Sequence, residues 1–471
     1  MRWRNLLSTP PMTRVAVVAP QSYLRQVLVR VADAGVIEFE RTLAPGDAAT
    51  GEAARRLRRS ADPAGPARLA VDGPNLDRWE QAGRTDLLAG EAELAGYCAE
   101  AVTRGNVAAL LGWAPSDRVS AVAARLADVG GAVAPLPSPR GIQPPTATAP
   151  GTVRAELSPL VSTYTTVPYA DVDPTVLAGL AYVVMFGAMF GDVGHGALLV
   201  LGALLIRRGR PQWLAKLQTY WRFIAGAGLS SLLFGLLYGE CFGPTGLVPT
   251  LWLAPAEHPV PLLLAGVGLG AVLLAGAYAL GTVNRIRESG WLVALTAPSG
   301  LAGSALSLAA GLAVLSWYLS VEWLVPVAGL LALTSLVLVF TGLLAEAGGG
   351  ASGVAQALIE TFDVVIRLGS NTVSFARLAA FGLTHAVLSG IVWAATAGLW
   401  QRGAAGAVAA VIVFTTGNAL AFSLEALVAG VQALRLEYYE LFSRVFQRQG
   451  RPFRPWHVPT ETIGEASCSP G

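Results

Sequence analysis

The chain has 471 residues, of which 53% are hydrophobic and only 14% charged, with a formal net charge of +2. Soluble domains carry about 25% charged residues, so much of this sequence reads as lipid-embedded, and so small a net charge gives no reason to expect a nucleic-acid partner. Three cysteines (Cys98, Cys241, Cys468) and four histidines (His195, His258, His385, His457) lie far apart, so spacing argues for neither a disulfide framework nor a metal site.

Residues 1–170 are polar and proline-containing. The opening MRWRNLLSTPPM has no apolar run of signal-peptide length, which predicts a cytoplasmic start. Two segments then read alike: Thr13–Pro20 is β-rich, 21–34 has helical spacing and 36–39 is a short strand. The pattern returns as a strand at 106–115, a helix at 116–128 and a strand at 131–137. Two such halves predict a small soluble α/β domain, one split sheet being an arrangement they allow. Between them, 46–104 mixes charged helix formers with glycine and proline. No phosphate-binding loop occurs, so nucleotide hydrolysis by this chain is not expected.

After Asp173-Pro174 the sequence turns apolar. A spanning helix needs about 20 apolar residues. The run 174–206 is too long for one ordinary span and is interrupted by GDVGHG (191–196), which predicts a tight hairpin with Asp192 and His195 at its outer turn. One long tilted helix is the competing reading. Further spans are expected near 219–238, 260–282, 291–317, 323–345, 370–398 and 407–440, about eight in all. Arg207, Arg208, Arg210, Lys216, Arg285, Arg287, Arg444, Arg448, Arg451 and Arg454 then fall on one side, as the positive-inside tendency requires. Both termini are expected on that side, and 450–471 reads as a cytoplasmic tail.

Neither 352–400 nor 401–449 contains proline. Each supports a helix of about 40 residues, roughly 60 Å long, which must tilt or project from the bilayer. Arg377 sits in the first with apolar sequence on its outer side, at a cost of about 2.5–3.5 kcal/mol for a central arginine, and it cannot escape by deprotonation. His385 lies about 12 Å outward and Asp363 about 21 Å inward along the axis. In the second, Asn418, Glu425 and Gln432 recur every seven residues on one face, with Arg435 on a neighbouring face. These groups predict two half-paths, with His385 and Glu425 outside the arginines and Asp363 inside. Titratable groups along a hydrated path relay ions, while a fixed positive charge between the paths blocks a leak. Such a charge also favours the ionised form of a passing carboxylate.

LGWAP (111–115), YTTVPYADVDPT (164–175), MFGAMFGDVGHG (185–196) and LLFGLLYGECFG (232–243) resemble segments of the V-type ATPase membrane subunit a, called subunit I in bacteria and archaea. The most specific likeness is in SNTVSFARLAAFGLTHA (370–386) and SLEALVAGVQALRLEYYELF (423–442). The resemblance implies that Arg377 and Arg435 match the family's essential arginine positions and Glu425 its paired carboxylate. Gln432 stands where some eukaryotic members have histidine. It also implies a rotary-ATPase stator with two half-channels facing a proteolipid ring. Its partners would be that ring, peripheral-stalk subunits, a central-stalk or ring-cap subunit and the lipid bilayer. No cofactor and no nucleic acid are implied. The expected fold is a multi-pass α-helical membrane protein with an N-terminal soluble α/β domain, in a bacterial plasma membrane. Family members have a longer soluble domain, of which 46–104 looks like a shortened helical hairpin.

Blander readings exist for several residues. Asp363 also suits a solvated cap, Glu425 a structural bond to a neighbouring helix, and His385 a packed histidine. Asp192 and His195 read as structural rather than transporting, and Asn418 and Ser374 are weaker ion-path candidates. A self-contained secondary transporter is disfavoured because no internal repeat is visible. A non-conducting assembly relative is disfavoured by the presence of Arg377, Glu425 and Arg435.

Overall fold

The computed structural model describes residues 9–40, 51–60, 65–139, 141–147, 152–209, 212–446 and 449–462. Expectations for the first eight residues, Arg210, Arg448, Cys468 and parts of 46–104 lie outside these. The chain divides into two compact units, Thr9–Thr148 with Gly450–Gly471, and Ala149–Gln449. The sequence reading put the boundary at 170 and a separate tail at 450. Instead, Leu157 and Val161, on a helix ahead of 170, are buried with the second unit, and the tail from 450 adds to the first.

The first unit contains β1 (Met12–Pro20), α1 (Leu24–Ala34), β2 (Glu38–Phe39), α2 (Glu52–Arg59), β3 (Leu69–Ala70), α3 (Leu76–Gln81) and α4 (Thr85–Glu100). It continues with β4 (Val102–Arg104), β5 (Val107–Pro115), α5 (Val119–Ala127) and β6 (Ala132–Leu136), and closes with β7 (Thr460–Glu461). The main sheet runs β2-β5-β1-β6, with β4 on β5 and antiparallel pairing throughout. Each half's strands are thus separated by a strand of the other, a split β-α-β arrangement. The alternation of Val15, Val17 and Ala19 sends these side chains into a core with α1's Val27, Leu28 and Val31. Gly112 and Trp113 pair with Phe39 and Glu38, and Trp113 is 1% exposed, so this motif builds the sheet.

The tail belongs to this core. Trp456 is buried against Tyr97 and Phe39, with ring centroids 4.4 and 6.0 Å away, while β7 pairs parallel with β3. Glu461 reaches Arg84 at 2.9 Å and Arg68 at 3.3 Å. The span 46–104 holds the short helices α2 and α3 and the longer α4 around a small cluster of Ala70, Trp79, Leu87 and Leu88.

The second unit contains α6 (Thr152–Ser162), α7 (Thr175–Met189), α8 (Val193–Arg207), α9 (Trp221–Tyr238), α10 (Pro259–Ser289), α11 (Trp291–Thr296) and α12 (Leu301–Leu319). It ends with α13 (Leu324–Glu346), α14 (Gly350–Ser374), α15 (Ala376–Trp400), α16 (Gly403–Leu436) and the short α17 (Ser443–Val445). Among the described residues, six helical stretches are long and apolar enough to cross a membrane: 216–238, 259–288, 291–314, 324–346, 350–400 and 403–445. Each coincides with an expected span. The last two are 51 and 43 residues long, and the first of these is interrupted at Phe375 between α14 and α15.

The two remaining expected spans, α7 and α8, have 15 residues each, about 22 Å of helix against a hydrocarbon layer of about 30 Å. They form a hairpin, not one long helix. Gly187 faces Ser230 and Gly191 faces Phe234 and Tyr238, so α7 runs alongside α9 in the same direction; Gly196 faces Leu232 and Gly228 faces Val200, so α8 runs back. Ser231 Oγ donates to the carbonyl of Phe190 (2.5 Å) and Tyr238 Oη to that of Ala188 (3.1 Å), satisfying carbonyls freed at the end of α7.

Two outcomes test the first unit. Trp456→Ala is expected to destabilise it by about 3–5 kcal/mol, the usual cost of emptying a buried indole site; hydrogen exchange should show lost protection in β1 and β5. Burial, then the Glu91 charge, pushes the Cys98 thiol up to about 11. Because the thiolate is the nucleophile, alkylation of Cys98 at pH 8 in a Cys241→Ser, Cys468→Ser background should run about a hundredfold slower than for a free thiol. It should accelerate above pH 10, and unfolding at pH 8 should abolish the difference.

Candidate functional site

The α7–α8 turn is not at an outer surface. Asp192 and His195 are both 0% exposed. Asp192 caps α8, its Oδ1 accepting from the His195 amide at 2.8 Å, while its Oδ2 accepts from the Gly243 amide at 3.0 Å. The same Oδ2 lies 3.9 Å from His385 Nε2 on α15, and His385 Nδ1 is hydrogen-bonded to Glu425 Oε2 on α16. Rings of Phe190, Phe242 and Phe422 close around the two histidines. Glu240, 5% exposed, accepts from the Val193 amide through its backbone carbonyl. Four segments therefore meet at one buried group of carboxylates and imidazoles.

About 12 Å along α15 from His385, Arg377 Nη2 approaches Glu440 Oε1 at 3.7 Å. With its amide oriented so that both ends are satisfied, Asn371 donates to Glu440 Oε2 at 2.8 Å and accepts from Arg444 Nη2 at 2.6 Å. Glu440 lies on a π-helical continuation of α16, Glu437–Phe442, a form that recurs at functional sites. Glu437, on the same turn, is 0% exposed, and neither carboxylate oxygen has a hydrogen-bond partner among the described residues. Arg435, two residues before it, is exposed and forms no ion pair among the described residues. It shares the open face of α16 with Leu420, Leu424, Leu427, Val428 and Val431, all exposed. Such a cation on an apolar face is costly in lipid unless a partner faces it.

A family model described as the V-type ATPase 116kDa subunit family matches residues 98–258 and 352–458, more than half of the chain. The chain belongs to that family. Every side chain of the two groups just described falls inside these V-type ATPase stretches, whereas 259–351 lies outside them. "A-type ATP synthase subunit I" of Halobacterium salinarum is 30% identical over 365 residues, covering 61% of this chain and 48% of that protein. The protein of the same name in Aeropyrum pernix is 26% identical, with the same coverages of 61% and 48%. That of Archaeoglobus fulgidus is 25% identical, covering 74% and 58%. The chain spans about half the length of the curated relatives it matches.

Within this V-type ATPase family member, the expected outer pair His385 and Glu425 meets directly, and Asp192 and His195 join it. Asn418 is buried and donates to the Phe414 carbonyl at 2.9 Å; Gln432 is half-buried, its Oε1 without a hydrogen-bond partner among the described residues. Ser374 is half-buried at the end of α14, beside the break. Asp363 has a side chain nearly half exposed and paired with Arg367 at 2.6 Å, one turn along its own helix. Glu437 and Glu440, buried carboxylates just beyond Arg435 on the same helical run, are residues that sequence reasoning missed. Their signal was present, since both continue the apolar helix that carries Arg435.

Gly235 on α9 holds the turn of this family member in place. A Cβ there would lie 2.4 Å from the Val193 nitrogen and 2.5 Å from the Asp192 carbonyl carbon. Gly235→Ala should force the α7–α8 turn away at about 1–3 kcal/mol. Its readout is a melting temperature a few degrees lower for the detergent-solubilised chain; an unchanged melt would contradict the packing.

Proposed function

We propose that this chain is the ion-translocating stator subunit of a V/A-type rotary ATPase, with titratable groups that suit proton transfer. The observation that carries the reading is Arg435, without an ion-pair partner among the described residues, on an exposed apolar helix face and flanked along the chain by two separate carboxylate groups. On one side lie Glu425, His385 and Asp192; on the other lie Glu437 and Glu440. A passing carboxylate on a proteolipid ring gives the arginine an anionic partner, and the guanidinium favours that carboxylate's ionised form.

The steps follow from these positions. A ring carboxylate reaching Arg435 and Arg377 releases its proton to one group and takes another from the opposite group after rotation. Glu425 sits ten residues from Arg435, about 15 Å along the helix, so no direct bond short-circuits the two paths. His385, held by Glu425 and facing Asp192, relays on the outer side. Eight membrane crossings, with α7 and α8 as a short pair, and cytoplasmic termini complete the arrangement. The first unit is the attachment point for peripheral-stalk subunits, and nucleotide hydrolysis resides in other subunits. The names of the relatives, A-type ATP synthase subunit I, support the same assignment.

In the assembled complex, Arg435→Ala and Arg377→Ala are each expected to abolish ATP-driven ion uptake into vesicles while subunit composition stays intact. Arg377→Lys should fail or nearly fail, because lysine lacks the fixed planar fork and titrates more readily when buried. Uptake at the unmutated rate in both alanine variants would remove the proposal.

A further inference from the structure

Asp192, His195 and His385 present ligand atoms that all lie within 4.8 Å of one another, and all three side chains are buried. His195 Nδ1 is 3.7 Å from Asp192 Oδ1, and His385 Nε2 is 3.9 Å from Asp192 Oδ2. The two imidazoles lie 5.6 Å apart between ring centroids with planes at 71°. Neither ring nitrogen of His195 nor His385 Nε2 makes a hydrogen bond of good geometry among the described residues, Asn418 and Asp192 being their nearest polar neighbours, although the histidines are 0% and 2% exposed. Buried polar atoms are seldom left so.

The surroundings favour a cation over mere packing. Glu425 engages His385 Nδ1, which fixes the ring and leaves Nε2 as the free ligand atom; a carboxylate behind a histidine is the usual support for metal coordination. Asp192 is held in turn by the His195 and Gly243 amides. Glu240 is near enough to interact electrostatically with His385, Asp192 and Glu425. Three carboxyl groups thus surround two imidazoles, with no lysine or arginine ion-paired to any of them among the described residues.

We propose that Asp192, His195 and His385 form a binding site for a divalent ion of zinc's class. Two imidazoles and one carboxylate suit zinc rather than magnesium or calcium, which take shells of oxygen. Tetrahedral zinc with bonds of about 2.0–2.1 Å needs ligand atoms about 3.3 Å apart, so spacings that now reach up to 4.8 Å must close on binding, the longest by about 1.5 Å. Three protein ligands leave the fourth position for water. An ion here occupies His385 Nε2 and Asp192, so it closes the outer path; that consequence, unlike the binding itself, rests on the proposed function.

Chelator-treated native complex, dialysed against zinc chloride, should bind one zinc per copy of this chain at micromolar or lower concentration. Each of His195→Asn and His385→Asn should weaken that binding at least about tenfold, and Glu425→Gln about 10- to 100-fold. Cobalt(II) bound to the unmutated complex should show the intense visible bands of a tetrahedral site, a readout that needs no variant to fold. Absence of stoichiometric zinc, a weak octahedral cobalt spectrum, or binding indifferent to His195→Asn overturns the site. Zinc should also slow ion uptake in proportion to occupancy. Stoichiometric, His195-dependent binding with undiminished uptake would keep the site and overturn the outer path.

Discussion

The Asp192 carboxylate is the constraint on which the membrane unit turns. A charge with no exposed surface must be answered by hydrogen bonds and opposite charge, because burial without them costs several kcal/mol. Asp192 answers by capping α8, accepting from the loop after α9 and facing the imidazole on α15. His385 passes the connection to Glu425 on α16. One carboxylate therefore ties together four segments whose remaining contacts are mostly apolar packing, with a few hydrogen bonds such as Ser231 to the Phe190 carbonyl. Gly235 lets α9 approach closely enough for this to happen.

The last helix shows how a single element serves two environments. Asn418 and Ala433 are buried, while Leu420, Leu427 and Val431 are exposed. Glu425 and Gln432 lie between these faces, half-buried, and Arg435 lies on the open one. Polar groups on the border of an apolar helix can be satisfied from inside the protein or from a surface that slides past it. The π-helical turn at Glu437–Phe442 then shifts the helical phase, so that Glu437 and Glu440 face inward just beyond the exposed arginine.

Much of this was legible in the sequence because it depends on local pattern. The β-rich runs Thr13–Pro20 and 106–115 marked two strands, and apolar runs marked all six long membrane-length stretches. The seven-residue recurrence of Asn418, Glu425 and Gln432 marked a polar stripe, and the break at GDVGHG marked a hairpin. The pairing of Asp363 with Arg367, one helical turn away, is a local match that the long-range pattern of charges did not single out. The tail at 450–462 read as a bare extension, since nothing in so short a segment shows that Trp456 fills a core built from residues 400 positions earlier.

By itself, then, the sequence determined periodicity: which stretches are helices or strands, which are long enough for lipid, and which charges sit where charge is expensive. Only the tertiary structure decided company. His195 and His385 are 190 positions apart and Asp192 and Glu425 further still, so no spacing rule could group them. Burial brought them together, because a low-dielectric interior leaves scattered charges nowhere to go except to one another.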